Sequence, residues 1–427
     1  MKLTLKRVLV LTLLTLPCLA GSLPTVKPEE VGLSTERLQR ISEMIERRIQ
    51  AGEMTGAVAV VARKGKLVYQ TSQGVMDLES KQAMSPATMF RVASMTKPVT
   101  GIAIMMMVEE GKVRINDPVS RYIPEFRGMK VAVAAGGAQG GRGGAAAPAP
   151  AAPGGRGAAP SFYTMPAVRE ITVKDLLTHV SGLASGAMSN STVQSVARKQ
   201  GEKLADYIPR LGTTALEFQP GSRWAYSAQA GFDTLGRIVE IASGMPLDQF
   251  FQKRIFEPLG MKDIAFWPSD AQWPRVASVY SRGANGLTKS QNPNGMSSNV
   301  YFMGSGGLIS TAEDYIPFGA MLANSGELNG KRLLSRKTVE MLSAAHVPDT
   351  LPGRAAGEGY GLSVRVVTDH AKRGTMLSTG TFGWSGVYGT HFFVDPKEDL
   401  VGVLMVQTSN QEVNRDFEDL VAQSVVD

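Results

Sequence analysis

Apolar positions divide the chain into stretches of two kinds. Over residues 34–49, Leu38, Ile41, Ile45 and Ile49 recur at helical spacing behind a capping Ser34 or Thr35, which predicts an amphipathic surface helix. Residues 56–62 and 67–70 run instead as valine-rich β segments joined by Arg63-Lys-Gly-Lys66, a hairpin pattern. Helical periodicity returns at residues 172–177, 228–243 and 247–256, and again at 311–323, where Thr311 caps and Asp314 lies in the first turn. The end of the chain reads as strands over 362–368, 387–394 and 400–407, closed by a helix over 415–425. Strands at both ends with helices between predict an α/β body, of α+β type, built from residues 21–90 and 305–427. Residues 91–304 form a mainly helical part, with a cleft where the two meet.

Two stretches break this pattern. Residues 1–20 start with Lys2, Lys6 and Arg7, continue through the short apolar run 8–16 and end at Ala20, the layout of an export signal, which predicts a periplasmic or extracellular protein. The run is too short to span a bilayer comfortably and no later one is longer, so no membrane span is expected in the mature chain. Residues 132–160 are almost wholly Gly, Ala and Pro with Arg142 and Arg156; lacking large apolar groups to offset ordering entropy, they read as a disordered surface loop.

Composition changes this picture little. The chain has 427 residues, 43% hydrophobic, enough for one large core or two linked ones. Its single cysteine, Cys18, falls in the signal, so no disulfide is expected in the mature chain. Loss of Lys2, Lys6 and Arg7 with the signal takes the formal charge from +7 to +4, a scattered excess that does not suggest nucleic-acid binding. Oligomeric state is not readable.

The candidate chemistry begins at Phe90-Arg-Val-Ala-Ser-Met-Thr-Lys97-Pro98. Ser94 and Lys97 stand three residues apart at a helix start, on one face, so the amine can reach the hydroxyl. An alcohol needs a base to become a nucleophile. Lysine serves only if its surroundings favour the neutral amine, and the apolar run 102–108 predicts such burial. A Ser-x-x-Lys tetrapeptide alone is weak, since about one or two arise by chance in a chain this long. Two further segments add to it: residues 219–228, with Tyr226 in a loop before a helix, and Gly383-Trp-Ser-Gly-Val-Tyr-Gly389, a glycine-bearing strand edge.

Together with 175–183, 256–263 and 306–314, these ordered segments make nearly the whole mature chain resemble the serine hydrolase superfamily of class C β-lactamases, D-Ala-D-Ala peptidases and family VIII carboxylesterases, most closely the last. The resemblance implies a β-lactamase/penicillin-binding-protein-like fold, an antiparallel sheet flanked by helices with the active site in a cleft beside a mainly helical part. It implies Ser94 as nucleophile, Lys97 as its base partner and Tyr226 as the group that passes a proton to the leaving group. It assigns the oxyanion donors to the backbone N–H groups of Ser94 and Val387. No metal or other cofactor is implied.

Departures from the resembled pattern point to substrate. Ala228 stands where the β-lactamases and peptidases of this group carry Asn, and Trp384-Ser385-Gly386 replaces their Lys-Thr-Gly, removing a cation that would attract a carboxylate. Both changes favour neutral esters. The expectation is an exported serine carboxylesterase acting on a small-molecule ester. Trp384, Ser385, Gly386, Tyr388, Tyr301 and Phe302 are expected to line the substrate site and, by crowding it, to favour short acyl chains. A penicillin-recognising hydrolase and a catalytically silent peptidoglycan-binding module are the alternatives. Singly, Tyr226 and Trp384 read first as packing residues and only jointly, with the segment order intact, as catalytic-site residues; His179 reads as one that orients backbone near the cleft. His346, His370 and His391 read as structural or exposed. No Gly-x-Ser-x-Gly, His-Glu-x-x-His or Cys-x-x-Cys occurs, so neither an α/β-hydrolase elbow nor a zinc site is indicated. Gly304-Ser-Gly-Gly307 lacks phosphate-loop spacing and reads as a close-approach turn beside the cleft.

Overall fold

A computed structural model describes residues 23–135, 161–292 and 294–427. The export signal with Cys18, and residues 136–160 of the Gly/Ala/Pro stretch, lie outside the described residues.

In chain order the elements that build the site are α1 (Thr35–Gln50), β1 (Gly56–Arg63), β2 (Lys66–Gly74), α2 (Thr96–Glu109), α3 (Ala230–Ser243), α4 (Ala312–Ala323), β3 (Glu358–Tyr360), β4 (Arg365–Val367), β5 (Phe382–Ser385), β6 (His391–Asp395), β7 (Leu400–Val406) and α5 (Gln411–Ala422). The strands form one antiparallel sheet in the order β3-β4-β5-β6-β7-β1-β2, so the two ends of the chain interlock. β1 is buried along its whole length because both of its faces are covered. Val58 and Val60 enter the large core shared with α2, α3 and α4, whereas Ala57, Ala59 and Val61 enter a second core under α1 and α5, where Leu38, Ile41 and Ile45 meet Val413 and Phe417. The i, i+2 alternation of a strand divides these side chains between the two cores.

The terminal helices are capped from side chains: Ser34 Oγ accepts from Arg37 N, Thr311 Oγ1 from Asp314 N, and Asn410 Oδ1 from Glu412 N. Among the described residues no helix is long and apolar enough to cross a membrane.

Several sequence expectations change here. The strand expected over 362–368 is only Arg365–Val367 (β4), because Ser363 takes φ 80° in the turn that brings the chain back from β3. The strand expected over 387–394 starts only at His391. Residues 386–389 form a turn, closed by Gly386 N donating to Thr390 O (2.7 Å) and allowed by Gly389 at φ 93°. The last helix begins at Gln411, four residues before the expected start. Residues Ala132–Ala134, assigned to the disordered loop, are ordered: Lys130–Ala134 pairs antiparallel with Phe162–Pro166 and parallel with Ala215–Leu216. That sheet has no sequence signature, since Tyr163, Thr164, Met165 and Pro166 are exposed and carry no apolar alternation.

Candidate active site

Ser94 sits at a sharp turn. The backbone leaves Phe90–Arg91, passes Ala93 at φ 46°, runs through the 3-10 turn Ala93–Met95 and enters α2. A non-glycine residue in the left-handed region costs on the order of 1 kcal/mol and persists only where its surroundings hold it. Here Met95 O accepts from the Tyr315 hydroxyl at 2.7 Å, and Thr96 Oγ1 accepts from Leu308 N at 3.2 Å. The first N–H groups of a helix lack a helical acceptor; Met95 N finds one in Val92 O at 3.0 Å, and that of Ser94 remains available to an oxyanion.

Lys97 follows one turn on and is fully buried, at 0% exposure. Its Nζ donates to Ser94 Oγ at 3.2 Å, to Ala228 O at 2.7 Å and to Ser305 O at 2.7 Å. None of these three acceptors is a carboxylate. The Tyr226 hydroxyl donates to Ser94 Oγ at 2.7 Å, and Lys97 Nζ lies 5.0 Å from the Tyr226 ring centroid. An alcohol, an amine and a phenol thus share one point although Tyr226 is 132 residues from Ser94.

Two local devices bring these groups together. The Gly304-Ser305 turn lies against α3 and α2: a Cβ at Gly304 would be 2.8 Å from Phe232 O, and Thr100 Oγ1 donates to Gly304 O at 2.6 Å. This is the close approach the glycines suggested, and it presents Ser305 O to Lys97. Asp233 holds the same turn, accepting from Ser305 N at 3.0 Å and from the Tyr301 hydroxyl at 2.9 Å. Burial raises its pKa, against those two bonds and the nearby Lys97 charge. Second, buried His179 fixes the Tyr226 loop. Its Nδ1 accepts from Ser227 N at 3.2 Å, and its ring packs 4.7 Å from Tyr226 and 5.3 Å from Phe232. Burial first, then Lys97 and Arg354, holds His179 well below its ordinary pKa, so the neutral ring keeps the lone pair that this bond requires.

The remaining expected residues separate. The Trp384 ring packs 5.7 Å from that of Tyr226, and Gly386 abuts the nucleophile turn so closely that a Cβ there would lie 2.5 Å from Val92 O. Val387, with its side chain exposed, continues from that contact. The Ser385 hydroxyl bonds instead to His391 Nδ1 at 2.8 Å. Tyr388 is half-buried near Arg91, and burial raises the pKa of its phenol. Tyr301 lines a cavity of about 420 Å³ that opens beside Tyr226 and Ala228 and also takes in Val193, Tyr207 and Met303. Phe302 is not brought to this cavity: it packs 5.4 Å from Phe266 and lines a separate hollow with Leu204 and Ile241. Sequence reading assigned no part to Asp233 and left His391 among structural or exposed histidines; His391 is wholly buried. Asp233 falls seven residues after Tyr226, in the first turn of α3, and carries no sequence signal of its own.

Residues 41–426 match the Beta-lactamase family. The chain belongs to that family. Protein Rv1367c of Mycobacterium tuberculosis is 33% identical over 371 residues, spanning 84% of this chain and 86% of that protein. Esterase EstB of Burkholderia gladioli is 29% identical over 396 residues, spanning 87% and 90%. Among solved structures, that of EstCE1, described as a hydrolase with promiscuous acyltransferase activity, superposes with a TM-score of 0.72 at 24% identity, covering 92% of this chain and 99% of that one. This Beta-lactamase family member is a serine hydrolase with a β-lactamase/penicillin-binding-protein-like fold.

Proposed function

We propose that the protein is a serine carboxylesterase that cleaves uncharged carboxylic esters through an acyl-enzyme on Ser94. One observation carries this reading: Lys97 Nζ and the Tyr226 hydroxyl both meet Ser94 Oγ, at 3.2 and 2.7 Å. In the proposed reaction Lys97, as the free amine, takes the Ser94 proton while Oγ attacks the ester carbonyl. The oxyanion is received by the N–H groups of Ser94 and Val387. Tyr226 delivers a proton to the departing alkoxide and is resupplied from Lys97. Water then attacks the acyl-enzyme by the same route in reverse. No step separates an ion pair, because Lys97 is bonded only to uncharged oxygens.

The preference for neutral esters is supported by the aromatic Trp384 against Tyr226, by Ala228 in place of an amide side chain, and by the likeness to an esterase. The 420 Å³ cavity beside Tyr226 gives room for acyl chains beyond acetyl, so butyrate is expected to serve as well as acetate. Family membership also favours a second reading, a β-lactam or D-alanyl peptide hydrolase. The test is a panel of p-nitrophenyl acetate and butyrate, nitrocefin and a D-Ala-D-Ala peptide on one preparation. Ester turnover well above the other two, lost in Ser94→Ala, is the expected result. Ester hydrolysis that survives Ser94→Ala overturns the nucleophile, and nitrocefin turnover equal to ester turnover overturns the substrate class. Absence of labelling by a fluorophosphonate would favour a silent binding module. Export belongs to the same proposal, resting on the basic start and apolar run of residues 1–20, and N-terminal sequencing of secreted protein checks it.

A further inference from the structure

The groups that the proposed reaction leaves unused include a second buried polar chain, on the far side of the main sheet. His391 of β6 stands opposite Ser385 of β5 in the strand register and is 0% exposed. Its Nδ1 is 2.8 Å from Ser385 Oγ. Its Nε2 is 3.0 Å from Glu418 Oε1 of α5, off the line of a straight hydrogen bond but close enough for the carboxylate to decide which ring nitrogen carries the proton. Glu418, at 2% exposure, is gripped by Arg365 of β4 and by Arg373, whose Nη2 is 2.7 Å from Oε2. Glu358 of β3 faces the same two arginines, 2.8 Å from Arg373 Nε.

The chemistry of this chain is directional. Burial pushes Glu418 up, but Arg365, His391 and Arg373 together hold it well below its ordinary pKa, so it is a carboxylate. Burial keeps His391 below its ordinary value, against the pull of Glu418, so the ring is neutral. A neutral ring beside a carboxylate carries its proton on Nε2. Nδ1 is then an acceptor, and the Ser385 hydroxyl donates to it. Ser385 is thereby committed to the sheet and is not a free donor for substrate, which alters the role the sequence suggested for it. The fixed residue is the last of β5. Beyond Gly383 that strand has no partner on the β4 side, and directly after Ser385 the chain makes the Gly386–Gly389 turn, which leans on the nucleophile loop through Thr390 Oγ1 donating to Val92 O at 3.1 Å.

We propose that His391, backed by Glu418, is a positioning residue for the oxyanion site: through Ser385 it anchors the end of β5 that β4 leaves unpaired and so sets the place of the Val387 N–H beside Ser94. The inference rests on the acyl-enzyme reading above. It requires that loosening the anchor harm the step in which negative charge develops, and leave substrate binding little changed.

The test uses the full chain with His391→Leu, His391→Asn and Ser385→Ala, each checked for cooperative unfolding, and reads kcat and KM on p-nitrophenyl butyrate. It also reads the rate ratio between an oxoester and the matching thionoester, whose sulfur is a poor acceptor for oxyanion donors. Removing an oxyanion donor outright lowers kcat by about 10²- to 10³-fold, so a misplaced one is expected to lower it about tenfold, with KM within about twofold and a smaller oxoester preference. His391→Asn, which can place an acceptor near the Nδ1 position, is expected to recover most of the loss. If His391→Leu does not fold, Ser385→Ala decides, with the same drop in kcat and in the ratio expected. Folded variants whose kcat and oxoester-to-thionoester ratio stay within twofold of the parent overturn the proposal. Failure of the underlying reading is seen separately, as hydrolysis that persists in Ser94→Ala.

Discussion

Lys97 and Glu418 are both buried ionisable groups, on opposite sides of the same sheet, and their surroundings treat them in opposite ways. Glu418 is met by two arginines and a histidine, so its charge is fixed. Lys97 is met by two backbone carbonyls, a serine hydroxyl and a tyrosine ring, and among the described residues it makes no ion pair. Paired charges in a low-dielectric interior hold a proton state, and breaking one such pair costs several kcal/mol. An amine bonded only to neutral oxygens can exchange protons with a hydroxyl and a phenol without that cost. The difference separates a frame, whose charges are locked in pairs, from a reacting centre, whose groups are bonded only to neutral partners.

The comparison can be broken at either end. The largest effect is expected for Lys97→Met, which keeps the bulk and removes the amine: ester turnover should fall on the order of 10³-fold, read as kcat/KM on p-nitrophenyl butyrate. Its Tm should stay within a few degrees, because no charged partner is stranded. Glu418→Gln is expected to do the reverse, costing about 3 kcal/mol by leaving Arg365 and Arg373 with Glu358 as their one carboxylate, read by urea unfolding. The pH dependence has a definite sign. The folded Glu418 pKa is depressed, so the stability it contributes is complete above the ordinary value of 4.5 and is lost as pH falls through the folded value; the variant should lack that part of the acid limb.

Tyr226→Phe should lower kcat about 10²-fold with little change in Tm, since its ring still packs against His179 and Trp384. The smallest effect sharpens the contrast with Glu418. Asp314 is half-buried, and among the described residues it makes no ion pair, so burial raises its pKa to about 6. A raised folded pKa favours the fold at low pH and is lost as pH rises through 6. Asp314→Asn should therefore raise Tm at pH 8 and gain little at pH 4. Equal gains at both pH values would mean that the carboxyl is not shielded as described.

Much of the frame was legible along the chain. The periodicity of Leu38, Ile41 and Ile45 marked α1, the valines of residues 56–62 marked β1, and Thr311 followed by Asp314 marked the start of α4, because caps and apolar spacing act over a few residues. Turns and edges were less legible. The break at Ser363 and the turn at 386–389 lie inside apolar stretches whose composition fits a strand, and only neighbouring strands decide where pairing stops. Lys130–Ala134 was hidden for a related reason: its partners Phe162–Pro166 and Ala215–Leu216 are remote in sequence.

For the site the division is sharper. By itself the sequence determined the short-range pair, since a spacing of three residues at a helix start puts Lys97 and Ser94 on one face. The tertiary structure alone decided that the Lys97 amine has only neutral partners, that Asp233 fastens the turn carrying Ser305 O, that Phe302 faces a different hollow, and that His391 joins Ser385 to Glu418. Each of these depends on side chains from distant segments meeting in a space that excludes water, and the free energy of such a meeting belongs to the packed arrangement, not to any one stretch of residues.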